Sequence, residues 1–449
     1  METDNAAPEF IRGTAWVLSM GCSKNTVDSE RFAGVLRNAG FEIVQQAEGA
    51  EVCLVNTCGF LKDAVEENIV AILDLADLKS KGAIRSIAVV GCLVNRYGRD
   101  LSAEIPEVDF WGGCEDYSAL LKSLTSNAKR GVFRPERHIL PGARSHVRYI
   151  KISEGCGGGC SFCSIPSIRG RLHSLPVASI VREAESLASN GAGEICLVAQ
   201  DLTAYGRDLG QSGGLLGLLD ALESSLPEDL WIRLLYLQPS GVDARLIERM
   251  ARAKLILPYF DIPIQHSSSG VLESMRRMPG RDGLTSLFAT IREIMPDCAL
   301  RTTCMVGFPG ETRSDFADLL RFLDEVCFDR VGAFAFSPEE GTEAASMPRQ
   351  VLTRTKKSRL ERLMSHQAGI SFSRGMLFFH KTIPVIIDTM TGRGMAEGRS
   401  FREAPDIDGV IEVEGIPRGA GPGDKIWATI TEVSEHDMFA KYAEPIKTE

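Results

Sequence analysis

The chain has 449 residues, more than one ordinary hydrophobic core accommodates, so about three domains are expected. Its 44% hydrophobic and 24% charged residues exclude a disordered chain, and its longest apolar runs, such as residues 195–199, are too short to cross a bilayer. A formal net charge of −10 excludes a bulk basic footprint for nucleic acid.

Residues 1–4 are acidic and lack the basic flank and apolar stretch of a signal peptide, so a cytoplasmic location is expected. Short apolar runs at 16–20, 52–56 and 87–90 alternate with amphipathic stretches at 29–39 and 62–78, which reads as βαβ units around a parallel sheet. From about residue 147 the alternation restarts. Strand-like runs at 149–153, 194–199, 231–236, 259–264, 299–306 and 330–336 are separated by helical segments such as 177–190, 243–253 and 313–325. Six such units suggest a partial (βα)6 barrel with its chemistry at the C-terminal strand ends. Residues 351–376 read as one long helix. Four short strand-like runs follow, at 383–388, 409–414, 424–433 and 438–442, punctuated by glycine and proline, as in a small antiparallel β-barrel. The fold class is therefore α/β, with domains at 13–140, 141–378 and 379–449.

Twelve cysteines accompany only seven histidines. In a reducing compartment they are unsuited to a disulfide framework, and a thiolate-rich set favours zinc or iron–sulfur over magnesium or calcium. Cys156, Cys160 and Cys163 lie at Cys-x3-Cys-x2-Cys spacing around three glycines, directly after the first barrel strand. Three thiolates can hold three irons of a 4Fe–4S cube and leave the fourth open, whereas structural zinc prefers four protein ligands, often as two Cys-x2-Cys pairs. This segment resembles the radical S-adenosylmethionine superfamily. The resemblance implies that the open iron chelates the amino and carboxylate groups of S-adenosylmethionine and that one electron then yields a 5′-deoxyadenosyl radical.

Cys22, Cys58 and Cys92 each close an apolar run in the first domain with a glycine beside them. In a parallel sheet such strand ends share one edge, so three thiols remote in sequence can meet there and hold a second, auxiliary cluster. The competing reading is a set of buried small hydrophobes. Cys114 is a possible fourth member, while Cys53, Cys196, Cys298, Cys304 and Cys327 read as packing residues.

Three cysteines, a radical barrel and a small β-barrel together resemble the methylthiotransferase family over nearly the whole chain. Cys22-Ser23-Lys24-Asn25, Asn56-Thr57-Cys58-Gly59-Phe60, Ser167-Ile168-Arg169-Gly170-Arg171 and Val306-Gly307-Phe308-Pro309-Gly310-Glu311 carry the likeness. It implies two 4Fe–4S clusters, S-adenosylmethionine used both to methylate sulfur and to abstract hydrogen, and external electron and sulfur donors. By the same resemblance, Glu194 is expected near the methionine amine, and Arg301 on the fifth strand is suited to pair bidentately with the methionine carboxylate; the alternatives are an ordinary surface carboxylate and a structural ion pair. Gln200-Asp201 and Gln265-His266 end barrel strands and are expected to shape the pocket.

The family divides mainly into enzymes acting on adenosine in transfer RNA and on an aspartate β-carbon of ribosomal protein S twelve. From residue 380 onward eight basic and thirteen acidic side chains leave −5, a charge that repels an RNA backbone and attracts a basic protein. Residues 197–201, 334–342 and 404–409 resemble the ribosomal-protein branch, although Leu202-Thr203 replaces the two threonines common after Gln200-Asp201. The alternatives are a transfer RNA methylthiotransferase and a non-enzymatic iron–sulfur carrier. A carrier does not explain a six-unit barrel behind one cluster.

Overall fold

A computed structural model describes residues 12–125, 135–210 and 213–444. Residues 1–4, Lys447 and Glu449, used in the charge and targeting arguments, lie outside them. The chain forms two compact units: Met1–Ala143 with Ser164–Arg171, and Arg144–Cys163 with Leu172–Glu449.

The first unit contains β1 (Gly13–Ser19), α1 (Ser23–Asn38), β2 (Phe41–Val44), β3 (Val52–Thr57), α2 (Lys62–Ser80), β4 (Ser86–Gly91), α3 (Cys92–Glu104), β5 (Phe110–Gly112) and α4 (Tyr117–Leu124). The strands form one parallel sheet in the order β2-β1-β3-β4-β5. All six residues of β3 are buried, as a central strand covered on both faces requires. Successive side chains point to opposite faces. Leu54, Ala88 and Val90 meet Phe32 and Leu36 of α1 and Leu120 of α4. Cys53, Val55, Ile87 and Val89 meet Ile72, Leu75 and Leu93 on the other side. The short helix α5 (Ile165–Arg169) also belongs to this unit, although in sequence it follows Cys163.

The second unit begins with β6 (Val147–Lys151) and the small ribbon of β7 (Ser153–Glu154) and β8 (His173–Ser174). It continues through α6 (Val177–Ser189), β9 (Glu194–Val198), α7 (Gly214–Ser225), β10 (Trp231–Leu234), α8 (Ala244–Ala251), β11 (Tyr259–Asp261), α9 (Ser269–Ser274), α10 (Arg281–Ile294), β12 (Ala299–Val306), α11 (Arg313–Val326) and β13 (Arg330–Ala335). Two three-stranded parallel sheets, β6-β9-β10 and β11-β12-β13, are joined by Ile232 bridging Ile256 beside Leu237 N–H donating to Asp261 O at 2.8 Å. This is the expected six-stranded partial barrel.

After α12 (Glu343–Ser346) and the long α13 (Thr353–Met376), a closed barrel forms from β14 (Thr382–Gly392), β15 (Met395–Arg399), β16 (Ile411–Glu414), β17 (Lys425–Val433) and β18 (Met438–Ala443). The sequence pattern reveals four of these strands and misses β15. Its inward positions are Ala396 and Gly398, too small to register as an apolar alternation. A Cβ on Gly398 would stand 2.4 Å from Ile386 O, so only glycine fits where β15 pairs with β14. Among the described residues no helix is long and apolar enough to cross a membrane.

Candidate metal centres

β1, β3 and β4 are adjacent and parallel, so their C-terminal ends lie side by side. Cys22 follows β1 as the N-cap of α1, Cys58 follows β3, and Cys92 opens α3. Two of the three thiols thus stand at helix N-termini. Glycines let the loops close together. A Cβ on Gly21 would lie 2.8 Å from Cys58 Cβ, and one on Gly59 would lie 2.7 Å from Cys92 O.

Asn25 ties these loops, donating from Nδ2 to Met20 O at 2.8 Å and Thr57 O at 3.0 Å. Its Oδ1 accepts from Arg169 at 2.6 Å, and the same guanidinium donates to Cys92 Sγ at 3.1 Å and Asp28 Oδ2 at 2.7 Å. The Cys114 thiol donates to Cys92 Sγ at 4.0 Å, and Asn95 Nδ2 donates to Cys114 Sγ at 3.3 Å. That thiol bond, with Arg169 assisting, lowers Cys92 against the effect of burial. Cys114 is pushed upward by its bond to Cys92 and by burial. Burial also raises Cys58 to about 11, reinforced by the neighbouring Cys92 and Cys22 sulfurs.

The second cysteine group lies on the loop after β7, at the C-terminal end of the first barrel strand. Gly158 N–H donates to Cys156 Sγ at 3.2 Å, and Cys163 N–H donates to Cys160 O at 3.1 Å. A Cβ on Gly157 or Gly159 would have nothing within 4 Å, so the loop is open on those sides. Ser161 anchors it, its N–H donating to Met275 O at 3.1 Å and its hydroxyl to Ser274 O at 2.8 Å. Arg277 reaches Cys160 Sγ at 3.8 Å.

Among the described residues no three His, Cys, Asp or Glu side chains converge on a single metal ion. Thiolates that each take a different iron of a cube need no such convergence. Three buried polar atoms at the same strand ends, Ser153 Oγ, Gln200 Oε1 and Gln265 Oε1, have no hydrogen-bond partner, as groups awaiting a polar ligand would. Gln200 Nε2 donates to Glu154 Oε1 at 2.6 Å, and Glu154 also pairs with Lys151. His266 Nδ1 accepts from Ser267 N–H at 3.0 Å and Ser268 N–H at 2.9 Å, while its buried Nε2 has no hydrogen-bond partner and lies 3.8 Å from Glu311 Oε1. Glu311 Oε2 takes the Gly307 N–H and, at 3.1 Å, the Phe308 N–H, so this turn is closed by its own carboxylate and is no phosphate loop.

Residues 14–113 match an uncharacterized protein family, UPF0004, residues 150–323 the radical SAM superfamily, and residues 381–442 the TRAM domain. A ribosomal protein uS12 methylthiotransferase RimO of Geobacter sulfurreducens is 40% identical over 438 residues, covering 95% of this chain and 97% of its own. One of Aquifex aeolicus is 41% identical over 434 residues, covering 96% and 97%. The chain belongs to the ribosomal protein uS12 methylthiotransferase family. It is thereby an enzyme of the radical S-adenosylmethionine class, and the carrier alternative falls away. The fold is shared with a radical S-adenosylmethionine methyltransferase, TsrM, of Kitasatospora setae, at TM-score 0.53 and 14% identity over 72% of this chain and 71% of that one.

In this uS12 methylthiotransferase, the two residues expected beside the cofactor are both engaged in ion pairs. Glu194 opens β9 and pairs in register with Val147, the first residue of β6, so it stands at the strand end away from the cysteine loop. It is fully buried there, with Oε1 taken by Arg233 at 2.6 Å and Oε2 by Arg399 of β15 at 2.5 Å. Burial opposes its charge, but the two guanidiniums outweigh that and hold its carboxyl below the usual range. Arg301, early in β12, pairs with Asp261 at 2.9 Å and Asp408 at 3.3 Å. Both residues join the barrel base to the TRAM domain.

Of the five cysteines assigned to packing, Cys53, Cys196, Cys298 and Cys304 are buried, and Cys327 is exposed as the left-handed C-cap of α11. Burial pushes Cys53 and Cys304 up to about 12, the protonated state expected of inert thiols.

Proposed function

We propose that this enzyme methylthiolates the β-carbon of an aspartate in ribosomal protein uS12, with Cys156, Cys160 and Cys163 holding one 4Fe–4S cluster and Cys22, Cys58 and Cys92 a second. The observation that carries the two-cluster reading is the arrival of three thiols, from three sequence-distant loops, at one edge of three adjacent parallel strands. Bound at these thiolates, one cluster would supply the electron that cleaves S-adenosylmethionine and the other would hold the sulfur to be transferred. The protein's own part is to orient and to exclude water. Ser153, Gln200 and Gln265 present unpaired polar atoms to S-adenosylmethionine, while the Lys151–Glu154 pair stiffens the start of the cysteine loop. No general base is assigned, because a C–H bond of negligible acidity yields to no side-chain base. Boundaries at 13–140, 141–378 and 379–449, a cytoplasmic location, and external electron and sulfur donors accompany this reading.

The TRAM surface supports a basic protein substrate. Asp388, Glu403, Arg399 and Arg402 are buried and cancel, which leaves exposed Asp406, Glu412, Glu414, Asp424, Glu432, Glu435 and Glu444 against Lys381, Arg393, Arg418 and Lys441. Anaerobic incubation of reconstituted enzyme with purified uS12 and, separately, transfer RNA tests the assignment by mass spectrometry. A methylthio group added to an aspartate of uS12 is expected. Modification of the RNA alone would overturn the substrate assignment.

A further inference from the structure

We infer that Arg169 is a positioning residue for the auxiliary centre, registering the loops of its cysteines and setting the reduction potential of a cluster bound there. This rests on the reading above that Cys22, Cys58 and Cys92 ligate a cluster.

Arg169 ends α5 and is buried, as are its three partners. Its Nε donates to Cys92 Sγ at 3.1 Å, one terminal nitrogen to Asp28 Oδ2 at 2.7 Å, and the other to Asn25 Oδ1 at 2.6 Å. The planar fork is thus fixed on three sides, with Nε left for the sulfur. Asn25 in turn holds the loops of Cys22 and Cys58 through Met20 O and Thr57 O. One guanidinium therefore registers the carrier loops of all three cysteines.

A hydrogen bond and a positive charge beside a ligating sulfur stabilise the more negative, reduced form of a cluster and raise its potential. Asp28, fully buried on the other side of the guanidinium, acts with the opposite sign. In sequence Arg169 lies six residues after Cys163, so the strand of chain that carries the last thiol of one group goes on to supply the cation of the other.

The experiment uses the full chain with Cys156→Ala, Cys160→Ala and Cys163→Ala, so that only the auxiliary centre is read. It is reconstituted anaerobically with iron and sulfide, and the electron paramagnetic resonance of the reduced cluster is followed against applied potential. Arg169→Gln is expected to keep its iron and sulfide and to lower the reduced-to-oxidised ratio at fixed potential about tenfold, which is ~59 mV for one electron. Arg169→Lys keeps the charge without the fork and should fall part of the way. Asp28→Asn should move the ratio upward.

A midpoint unchanged in Arg169→Gln, or shifts in the same direction for Arg169→Gln and Asp28→Asn, overturns the proposal. If Arg169→Gln binds no iron, Arg169→Lys decides: a midpoint equal to the parent's refutes the inference, and a lower one upholds it. A parent chain that takes up no cluster at all defeats the ligand assignment itself, and this inference with it.

Discussion

At the scale of single residues, close approach of backbone limits the sheet edge that carries Cys22, Cys58 and Cys92. Gly59 sits where a Cβ would meet Cys92 O at 2.7 Å and Leu93 N at 2.8 Å, both backbone atoms that cannot swing aside. Gly59→Ala should therefore push the Cys58 and Cys92 loops apart. Iron in the reconstituted full chain is expected to fall from about eight atoms per chain toward about four, with the remaining cluster still able to cleave S-adenosylmethionine. Retention of the full iron content would refute this. The six cysteines proposed as cluster ligands stand out in the sequence because each sits at a strand end or in a three-glycine loop. Arg169 is not legible as their partner. Its neighbours in sequence are those of the radical-SAM loop, and nothing local reveals that α5 packs into the first unit. The ion pairs of Glu194 are hidden for a related reason: its partner Arg399 is 205 residues away.

At the scale of elements, the turn that leads from β12 into α11 is secured twice. Glu311 closes Gly307 and Phe308, and Thr312 then caps α11, its hydroxyl accepting from Asp315 N–H at 3.2 Å while Asp315 Oδ2 accepts from Thr312 N–H at 2.8 Å. Asp315 also takes the Ser268 hydroxyl at 2.6 Å, joining the loop after β11 to this helix. Thr312→Ala should cost about 1 kcal/mol. It should lower the urea midpoint without changing the slope, and an unchanged midpoint would argue against it. The βα alternation places these strands and helices within a few residues of where they form, because central strands buried on both faces leave a near-continuous apolar trace. β2, β5 and β15 escape the same reading. Each is short or carries small and charged residues whose partners are supplied by neighbouring strands.

At the scale of the whole molecule, the second unit is held by buried ion pairs between the barrel base and the TRAM domain. Arg399 links Glu194 to Asp388, Arg301 links Asp261 to Asp408, Arg330 meets Glu403 at 3.2 Å, and Arg402 meets Asp329 at 3.0 Å. Burial alone would raise Asp388, but hydrogen bonds from His146 and Arg399 bring it to about 2. Asp329 is likewise held below its usual value, burial being outweighed by Arg402, Arg374 and Arg292. Folded values below the unfolded ones mean that this stabilisation is complete above about pH 4 and is lost as pH falls through the folded values. Loosening, followed by near-ultraviolet circular dichroism, is expected between about pH 4 and pH 2. Glu194→Gln leaves two buried guanidiniums short of charge, costs on the order of 3 kcal/mol, and should move that loosening to higher pH. S-adenosylmethionine affinity should stay within about twofold of the parent's, since Glu194 lies at the barrel base. A large loss of affinity with an unchanged acid midpoint would restore the cofactor role expected of Glu194.

The assignment of residues 164–171 to the first unit has a bearing on how the protein is made. Ribosomes deliver a chain from its N-terminus, and domains generally close as they emerge. Here the first unit must wait, its last helix still unsynthesised, while β6 and the whole cysteine loop are translated. A gene cut after residue 143 would thus encode a fragment without Arg169, and neither unit can be excised as one uninterrupted stretch.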